Sequence, residues 1–207
     1  FKRQKAQMLF DPLTYKPETG YYIRRISPSP EGTKLAIILN PNSGQEKGEL
    51  IFMDIKTGKI VGDTLYNIPN QPLSWIDEEK YLITENRGEE VLNREVYLSS
   101  LNSNEKTLYF SAEKFPELNI KPEEYPHVVY YQDADLYIAN VYTTLSYYKS
   151  FLKEKGKWKP LTSLEDIVNN VQVTKNGIYF KSGKNAPNFR ILRSSLGEPG
   201  FENAKEI

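Results

Sequence analysis

The sequence predicts an all-β fold, a β-propeller segment of about four four-stranded antiparallel blades. Short runs rich in β-branched and aromatic residues recur between turn residues, whereas helical patterns are scarce. The third strand of each predicted unit begins near residue 49, 95, 147 or 190, so the units repeat at about the length of a four-stranded blade. The 15 Tyr and 9 Phe provide large side chains for a packed β core.

Sixteen strands are expected, four in each unit. The strands expected in the first two units cover residues 21–26, 34–39, 49–55 and 60–66, then 73–76, 81–84, 95–101 and 107–110. Those expected in the last two units cover residues 128–131, 136–142, 147–152 and 158–161, then 171–173, 178–181, 190–196 and 204–207. Alternation along a strand places Ile51, Met53 and Ile55 on one face, and Phe52 and Asp54 on the other.

The order of these strands predicts the domain organisation. We expect residues 1–20 to form the outgoing strand of a preceding blade plus a linker, and residues 21–207 to form four blades of one propeller domain. The blades are expected at about 21–67, 72–112, 126–162 and 166–207. The segment 114–126 contains three prolines, so we expect an inter-blade loop with at most one helical turn.

The two terminal blades of such a segment lack a neighbour, which leads to a prediction about their outer faces. The first blade would expose residues from 35–39 and 51–55. The fourth blade would expose some of Ile178, Phe180, Ile191 and Leu192. Monomers rarely tolerate an apolar patch of several hundred Å². We therefore expect the isolated chain to dimerise, to aggregate, or to be stable only beside the rest of its parent protein.

The composition argues against several classes of partner and site. Lys plus Arg and Asp plus Glu each number 27, so the chain lacks the positive field typical of proteins that bind nucleic acid or membrane surfaces. No apolar run approaches the ~18 residues of a transmembrane helix, and the lack of Cys excludes disulfides and a thiol nucleophile. Because the chain begins at Phe1, we expect an excised or processed piece, and a cytoplasmic or a periplasmic location stays open.

No pattern in the sequence predicts a catalytic site. The chain has a single histidine, His127, and no Gly-x-Ser-x-Gly segment that would mark a serine nucleophile. Because no serine is marked as its partner, we interpret His127 as a structural or solvent-facing residue at the start of a strand. We expect no catalytic residue in this chain.

Acidic pairs and glycine-lysine steps do not predict a metal or a cofactor. Asp133 and Asp135 resemble the opening of a calcium loop, but the required Gly and terminal Glu do not follow, so a hairpin turn is expected. The other acidic pairs are Glu123 with Glu124 and Glu78 with Glu79. The steps Gly156-Lys157 and Gly183-Lys184 lack the spacing of a phosphate loop and are interpreted as hairpin turns.

Two surface features could contact a ligand. Tyrosine pairs at 21–22, 130–131 and 147–148 could form a platform, but we favour the interpretation that they fill the space between splayed blades. Arg24 and Arg25 lie in a first strand, the strand nearest the central channel of a propeller, and alternation predicts that one of them faces the channel. That arginine could meet a peptide carboxylate or pair with an acidic neighbour.

Three short motifs stand in an order that is not generic for β proteins. Residues 6–12 read Ala-Gln-Met-Leu-Phe-Asp-Pro, and residues 29–34 read Ser-Pro-Glu-Gly-Thr-Lys. Residues 185–193 read Asn-Ala-Pro-Asn-Phe-Arg-Ile-Leu-Arg and follow the run Gly-Ile-Tyr-Phe-Lys-Ser. Together they resemble the propeller of the prolyl oligopeptidase family, although Glu31 replaces the family's usual Asp and residues 132–135 lack its Asp-Gly turn.

This resemblance implies a function beyond the chain itself. The family's propeller has seven blades, of which the chain would span the end of the first through the fifth. The family's Ser, Asp and His catalytic residues lie on an α/β-hydrolase domain, which would lie outside this chain. The implied parent cleaves short peptides after proline, and its propeller covers the active site and excludes folded proteins. The implied partners are that hydrolase domain, the remaining blades and the passing peptides. The alternative is a propeller-type protein- or ligand-binding module with no peptidase domain.

Overall fold

The structure, a computed structural model, describes residues 7–43, 48–69, 71–88 and 91–207, with the backbone alone at Asn104. Within them the chain forms sixteen strands in four antiparallel four-stranded sheets. Each sheet contains four strands that are consecutive in the sequence, and their spatial order is their order in the sequence. The all-β fold and the repeated four-stranded unit predicted from the sequence are therefore confirmed.

The strands have the following limits. The first sheet contains β1 (Tyr21–Pro28), β2 (Lys34–Pro41), β3 (Gly48–Asp54) and β4 (Ile60–Ile68). The second contains β5 (Ser74–Trp75), β6 (Lys80–Glu85), β7 (Glu95–Ser100) and β8 (Ser103–Phe110). The third contains β9 (Tyr125–Tyr131), β10 (Leu136–Tyr142), β11 (Lys149–Glu154) and β12 (Lys157–Thr162). The fourth contains β13 (Val168–Thr174), β14 (Gly177–Ser182), β15 (Arg190–Ser194) and β16 (Lys205–Glu206).

Helices are limited to single turns of 3₁₀ type in the described residues. They lie at Pro12–Thr14, Pro116–Leu118, Gln132–Ala134, Leu164–Asp166 and Phe201–Asn203. The turn at Pro116–Leu118 lies in the loop for which at most one helical turn is expected, and Asn119 ends it with a left-handed backbone. No helix in the part of the chain that the structure describes has the length and apolarity to cross a membrane.

The chain divides into two compact units. The first contains residues 1–81 and 99–106, and the second contains residues 82–98 and 107–207. Of the outgoing strand and linker expected at residues 1–20, residues 1–6 lie outside the described residues, and residues 7–20 contain a 3₁₀ turn and no strand. The domain limits stated above stay a prediction.

In the first unit, one face of the first sheet is covered by the segment that precedes it. The buried residues of this face are Tyr21, Ile37, Leu39, Ile51 and Met53, each at most 6% exposed. Phe10 and Tyr15 pack against them. The prediction that residues of 35–39 and 51–55 are exposed is therefore wrong, because the segment before β1, expected as an outgoing strand plus a linker, packs over this face.

In the second unit, the fourth sheet shares a core with the third. Ile178 and Phe180 are 0% exposed and Leu192 is 6% exposed, whereas Ile191 is 42% exposed. Phe201, from the 3₁₀ turn before β16, stacks edge-on against Phe180 with ring centroids 5.7 Å apart. Of the four residues expected on an open face, only Ile191 is exposed. The apolar outer faces from which association of the chain was predicted are therefore mostly buried.

Two tight turns of the first sheet contain glycines with a left-handed backbone, Gly32 (φ +70) and Gly58 (φ +67). Replacing either with valine should destabilise the fold by about 1–2 kcal/mol, because a β-branched residue is strained there. A Cβ at either position meets no atom within 4 Å, so the cost comes from the backbone alone. The melting temperature, measured by circular dichroism, should fall by roughly 2–8 °C.

Gly197 provides the matched control for these turn variants. It also has open space around an added Cβ, but its backbone is outside the left-handed region. Gly197→Val should therefore leave the melting temperature nearly unchanged. Unchanged melting temperatures for both Gly32→Val and Gly58→Val would contradict the turn assignment.

Candidate functional surface

The single histidine lies inside the third sheet. His127 in β9 is 4% exposed and pairs in register with Asn140 in β10, which in turn pairs with Ser150 in β11. The Ser150 hydroxyl donates a hydrogen bond to Asn140 Oδ1 at 2.8 Å, and both residues are buried. This row of polar side chains is closed to a substrate. The structural role of His127 stays a prediction, and its burial favours it.

The acidic pairs singled out in the sequence serve local structure. Asp135, which has a left-handed backbone, follows the turn at Gln132–Ala134 and accepts a hydrogen bond from the Tyr130 hydroxyl at 3.0 Å. Glu124 is 4% exposed and lies 2.8 Å from the ammonium group of Lys149. Within residues 7–43, 48–69, 71–88 and 91–207, no group of three or more His, Asp or Glu side chains could hold a metal ion. The absence of a metal site stays a prediction.

Glu78 binds the turn between β1 and β2, whose sequence is one of the three motifs. Its carboxylate accepts hydrogen bonds from the Ser29 hydroxyl at 2.7 Å, from the Glu31 backbone N–H at 2.7 Å, and from the Thr33 hydroxyl. Burial raises the pKa of Glu78, but these hydrogen bonds outweigh it and keep that pKa below its ordinary value. Glu78, which lies in the segment between β5 and β6, therefore stabilises this turn.

The two glycine-lysine steps occupy different kinds of loop. Gly156 lies in the tight turn between β11 and β12 with φ +81, whereas Gly183 begins the longer loop between β14 and β15. The Lys184 ammonium group lies 2.8 Å from Asp166 Oδ1, so its charge is used within the protein. Burial raises the pKa of Asp166, but hydrogen bonds from Lys184 and Ser163 outweigh it and hold that pKa below its ordinary value.

The loop from Gly183 to Arg190 contains the most specific of the three motifs. Two successive turns are closed by hydrogen bonds from the Ala186 N–H to the Gly183 carbonyl at 3.1 Å and from the Phe189 N–H to the Ala186 carbonyl at 2.9 Å. The Phe189 ring covers Gly183 so closely that an added Cβ there would lie 3.3 Å from the ring. The motif therefore specifies a compact loop, with little room for a side chain at Gly183 beneath the aromatic ring.

Tyr131 and Tyr148 act as packing residues, whereas Tyr22 is 41% exposed. The Tyr131 hydroxyl donates to the Val171 carbonyl at 2.9 Å, and the Tyr148 hydroxyl accepts from the Val171 N–H at 3.1 Å. Burial raises the pKa of Tyr131 to about 12, so its hydroxyl stays protonated. These contacts join the third and fourth sheets of the second unit. For these two tyrosines, the contacts agree with the interpretation that tyrosines fill the space between blades.

One cluster was not anticipated from the sequence. The Lys153 ammonium group in β11 lies 4.2 Å from the ring centroid of Tyr109 and also faces the rings of Tyr137 and Trp158. It donates a hydrogen bond to the Tyr109 hydroxyl at 2.9 Å, and burial lowers the pKa of Lys153. The signal in the sequence is weak, because the rings come from three different strands whose pairing must be known first.

The β1 strip, residues 22–26, is the most unusual surface of the first unit. All five residues are exposed, including Tyr22 (41%), Ile23 (40%) and Ile26 (58%). Pairing of β1 with β2 is interrupted between Ile23 and Arg25, so Arg24 has no partner residue and forms a β-bulge. In a regular strand, Arg24 and Arg25 would point to opposite faces of the sheet. The bulge interrupts this alternation, so the prediction of opposite faces no longer applies. Both arginines are exposed, and their side chains form no ion pair or hydrogen bond with any residue that the structure describes.

Four consecutive four-stranded antiparallel sheets, each ordered as in the sequence, make the chain part of a β-propeller. A model of one family, described as the prolyl oligopeptidase N-terminal β-propeller domain, matches residues 2–207. The chain therefore belongs to that family. The resemblance inferred from the three motifs is confirmed.

Individual relatives are distant in sequence. The chain is similar to prolyl endopeptidases from Elizabethkingia miricola and Elizabethkingia meningoseptica, each 22% identical over 98% of this chain and 30% of the relative. Among solved structures, prolyl oligopeptidase B from Galerina marginata bound to a 35mer substrate has a TM-score of 0.72 at 12% identity, over 95% of this chain and 29% of that one. The β-propeller domain of the Trilobed protease from Pyrococcus furiosus has a TM-score of 0.60 at 14% identity, over 89% of this chain and 54% of that one. These structures support the fold, and the chain spans about 30% of the length of the curated relatives it matches.

Proposed function

We propose that this chain is the non-catalytic β-propeller portion of a prolyl-oligopeptidase-like serine peptidase, and that it restricts the access of peptides to an active site on an α/β-hydrolase domain outside this chain. The observation that carries the proposal is the family match over residues 2–207. The prolyl endopeptidases that resemble the chain extend well beyond the matched 30% of their length. The burial of the only histidine, His127, also supports a non-catalytic role.

Restriction of this kind is steric. Each sheet has its four strands hydrogen-bonded within itself, and the third and fourth sheets share an apolar core, so separating these two blades exposes buried surface. An extended peptide has a narrow cross-section and passes without such separation, whereas a folded protein does not. No single residue has to act as the gate, and selection by size follows from the rigidity of the sheets.

The purified chain should be inactive on its own. It should neither hydrolyse a chromogenic Gly-Pro substrate nor react with a fluorophosphonate probe, because its sequence marks no serine nucleophile and its single histidine, His127, is buried. The measurement is absorbance at micromolar protein, with mass spectrometry after probe treatment. Stoichiometric labelling of one serine would overturn the non-catalytic assignment.

The coding region beyond Ile207 distinguishes the proposal from the binding-module alternative. Under the proposal it encodes two or more further blades and then a Gly-x-Ser-x-Gly segment. The longer protein should cleave a short proline-containing peptide and leave the same sequence intact within a folded protein. A reading frame with no such segment, or equal cleavage of both substrates, would count against the proposal.

A further inference from the structure

The first strands of the four sheets differ in what they expose. In the propeller fold the first strand of each blade lies nearest to the central axis, so these strands line the route that peptides take under the proposed function. Strands β5 and β9 contain no exposed residue, and β13 exposes the neutral Asn170 and Gln172 between buried valines. Only β1 exposes charged side chains among these four strands, all of whose residues the structure describes.

The charge on the β1 strip has no partner among the residues that the structure describes. Arg24 and Arg25 are adjacent, and no carboxylate in the described residues pairs with either one. Some basic side chains elsewhere in the described residues do have such partners: Lys16 pairs with Glu49, and Arg190 pairs with Glu206. A guanidinium group presents several N–H donors in a plane, which suits a carboxylate, and two adjacent groups can bind both of its oxygens.

The residues on both sides of the arginines are apolar. Tyr22 and Ile23 precede them and Ile26 follows, each at least 40% exposed. An isolated exposed apolar residue needs no explanation, but here three occur within five positions at the open edge of a sheet. A ligand that fits the strip therefore combines one negative charge with a neighbouring apolar side chain.

We propose that the β1 strip binds the C-terminal α-carboxylate of short peptides, with Arg24 and Arg25 holding the carboxylate and Tyr22, which lies on the same face of the sheet as Arg25, contacting the last side chain. This inference rests on the proposed function, because every short peptide carries an α-carboxylate whatever its sequence. An internal segment of a folded protein has none. The strip thus adds a chemical preference for free peptide ends to selection by size.

Binding can be measured on the 207-residue chain without any peptidase activity. The probe is a short proline-containing peptide that ends in phenylalanine, has a fluorophore at its N-terminus, and carries a free C-terminal carboxylate. The comparison probes are the same peptide with a C-terminal amide, and the amide with an aspartate side chain added. Fluorescence anisotropy at low salt should show the free acid binding at least about fivefold more tightly than either amide.

Variants of the arginines identify the site. Replacing both Arg24 and Arg25 with glutamine should abolish the preference for the free acid, and replacing both with lysine should retain part of it. Arg193→Gln is the matched control, because Arg193 is also exposed on a strand. Circular dichroism melts show whether each variant is folded. If the glutamine variant does not fold, the lysine variant still tests the site.

Three results would overturn the inference. Equal binding of acid and amide would mean that the bulge and its arginines only guard the sheet edge against strand pairing. Equal loss of binding in Arg193→Gln would mean that the attraction is non-specific. Preferred binding of the aspartate peptide would assign the strip to acidic side chains instead of peptide ends. Each outcome leaves the proposed function standing, because that is tested by the reading frame and by cleavage.

Discussion

Replacing Phe180 with alanine is expected to lower the free energy of unfolding by about 3–5 kcal/mol. Phe180 lies in the middle of β14 with 0% of its surface exposed, in a cluster that includes Ile138 and Leu152 of the third sheet. Truncation would leave a cavity among these residues and remove the edge-on partner of the Phe201 ring. Because the strand leads directly into the loop that begins at Gly183, loosening this core should also loosen that loop.

Urea unfolding followed by circular dichroism measures this loss. The control is Ile191→Ala on the neighbouring strand β15, where the side chain is 42% exposed and truncation should cost less than about 1 kcal/mol. A loss below about 1 kcal/mol in Phe180→Ala as well would mean that the third and fourth sheets do not share a core.

The strand order could be predicted because turn residues interrupt the sequence at regular intervals. The limits of individual strands could not, and β9 shows why. It begins at Tyr125, three positions before the expected start, and includes Pro126. Proline cannot donate a backbone hydrogen bond, so its presence argued for a loop. However, β9 is at the edge of its sheet, where that donor is not needed, and the Pro126 carbonyl accepts a hydrogen bond from Thr84.

For a related reason, the sequence alone could not predict that Arg24 and Arg25 are both exposed. Alternation applies along a regular strand, but a bulge is a property of the pairing between two strands. Its position depends on how β1 aligns with β2, where Ile23 faces Leu39 and Arg25 faces Ile38. Nothing in the local sequence marks Arg24 as the extra residue.

The covered face of the first sheet depends on contacts between residues far apart in the chain. The segment before β1 carries the family-like motif and was expected to form the outgoing strand of a preceding blade plus a linker. From this segment, Phe10 and Tyr15 pack onto the apolar face of the first sheet. A carboxylate in β3, Glu49, fixes this arrangement, and its partners lie 28 to 34 positions earlier in the sequence. Such a cluster can be recognised only when the fold is known.

Glu49 is the second position at which a large effect is expected. Its carboxylate accepts hydrogen bonds from the hydroxyls of Tyr15 at 2.7 Å and Tyr21 at 2.6 Å, and its ion pair with Lys16 is 2.7 Å long. The Glu49 side chain is 13% exposed, so water can replace few of these bonds. The hydrogen bond to this carboxylate, together with the burial of the phenol, raises the pKa of Tyr21 to about 12.

The pH dependence of this contribution follows from the direction of the pKa shift. Burial raises the pKa of Glu49, but the hydrogen bonds from the lysine and the two tyrosines outweigh it and hold that pKa below its ordinary value of 4.5. A carboxyl group with a lowered pKa in the folded state stabilises the fold fully above its unfolded pKa. The stabilisation is lost as the pH falls through the folded pKa, in a window below pH 4.5.

We therefore expect Glu49→Gln to lower the free energy of unfolding by about 1.5–3 kcal/mol at neutral pH, because glutamine keeps the shape and loses the charge that the three donors require. Urea titrations of both proteins at a series of pH values should show this difference shrinking below pH 4.5, since only the wild type titrates at this position. Glu113→Gln is the control, because its ion pair with Arg87 is exposed and should contribute less than about 1 kcal/mol. A difference between wild type and Glu49→Gln that stays constant into acid would show that the carboxylate's charge is not what holds the preceding segment on the first sheet.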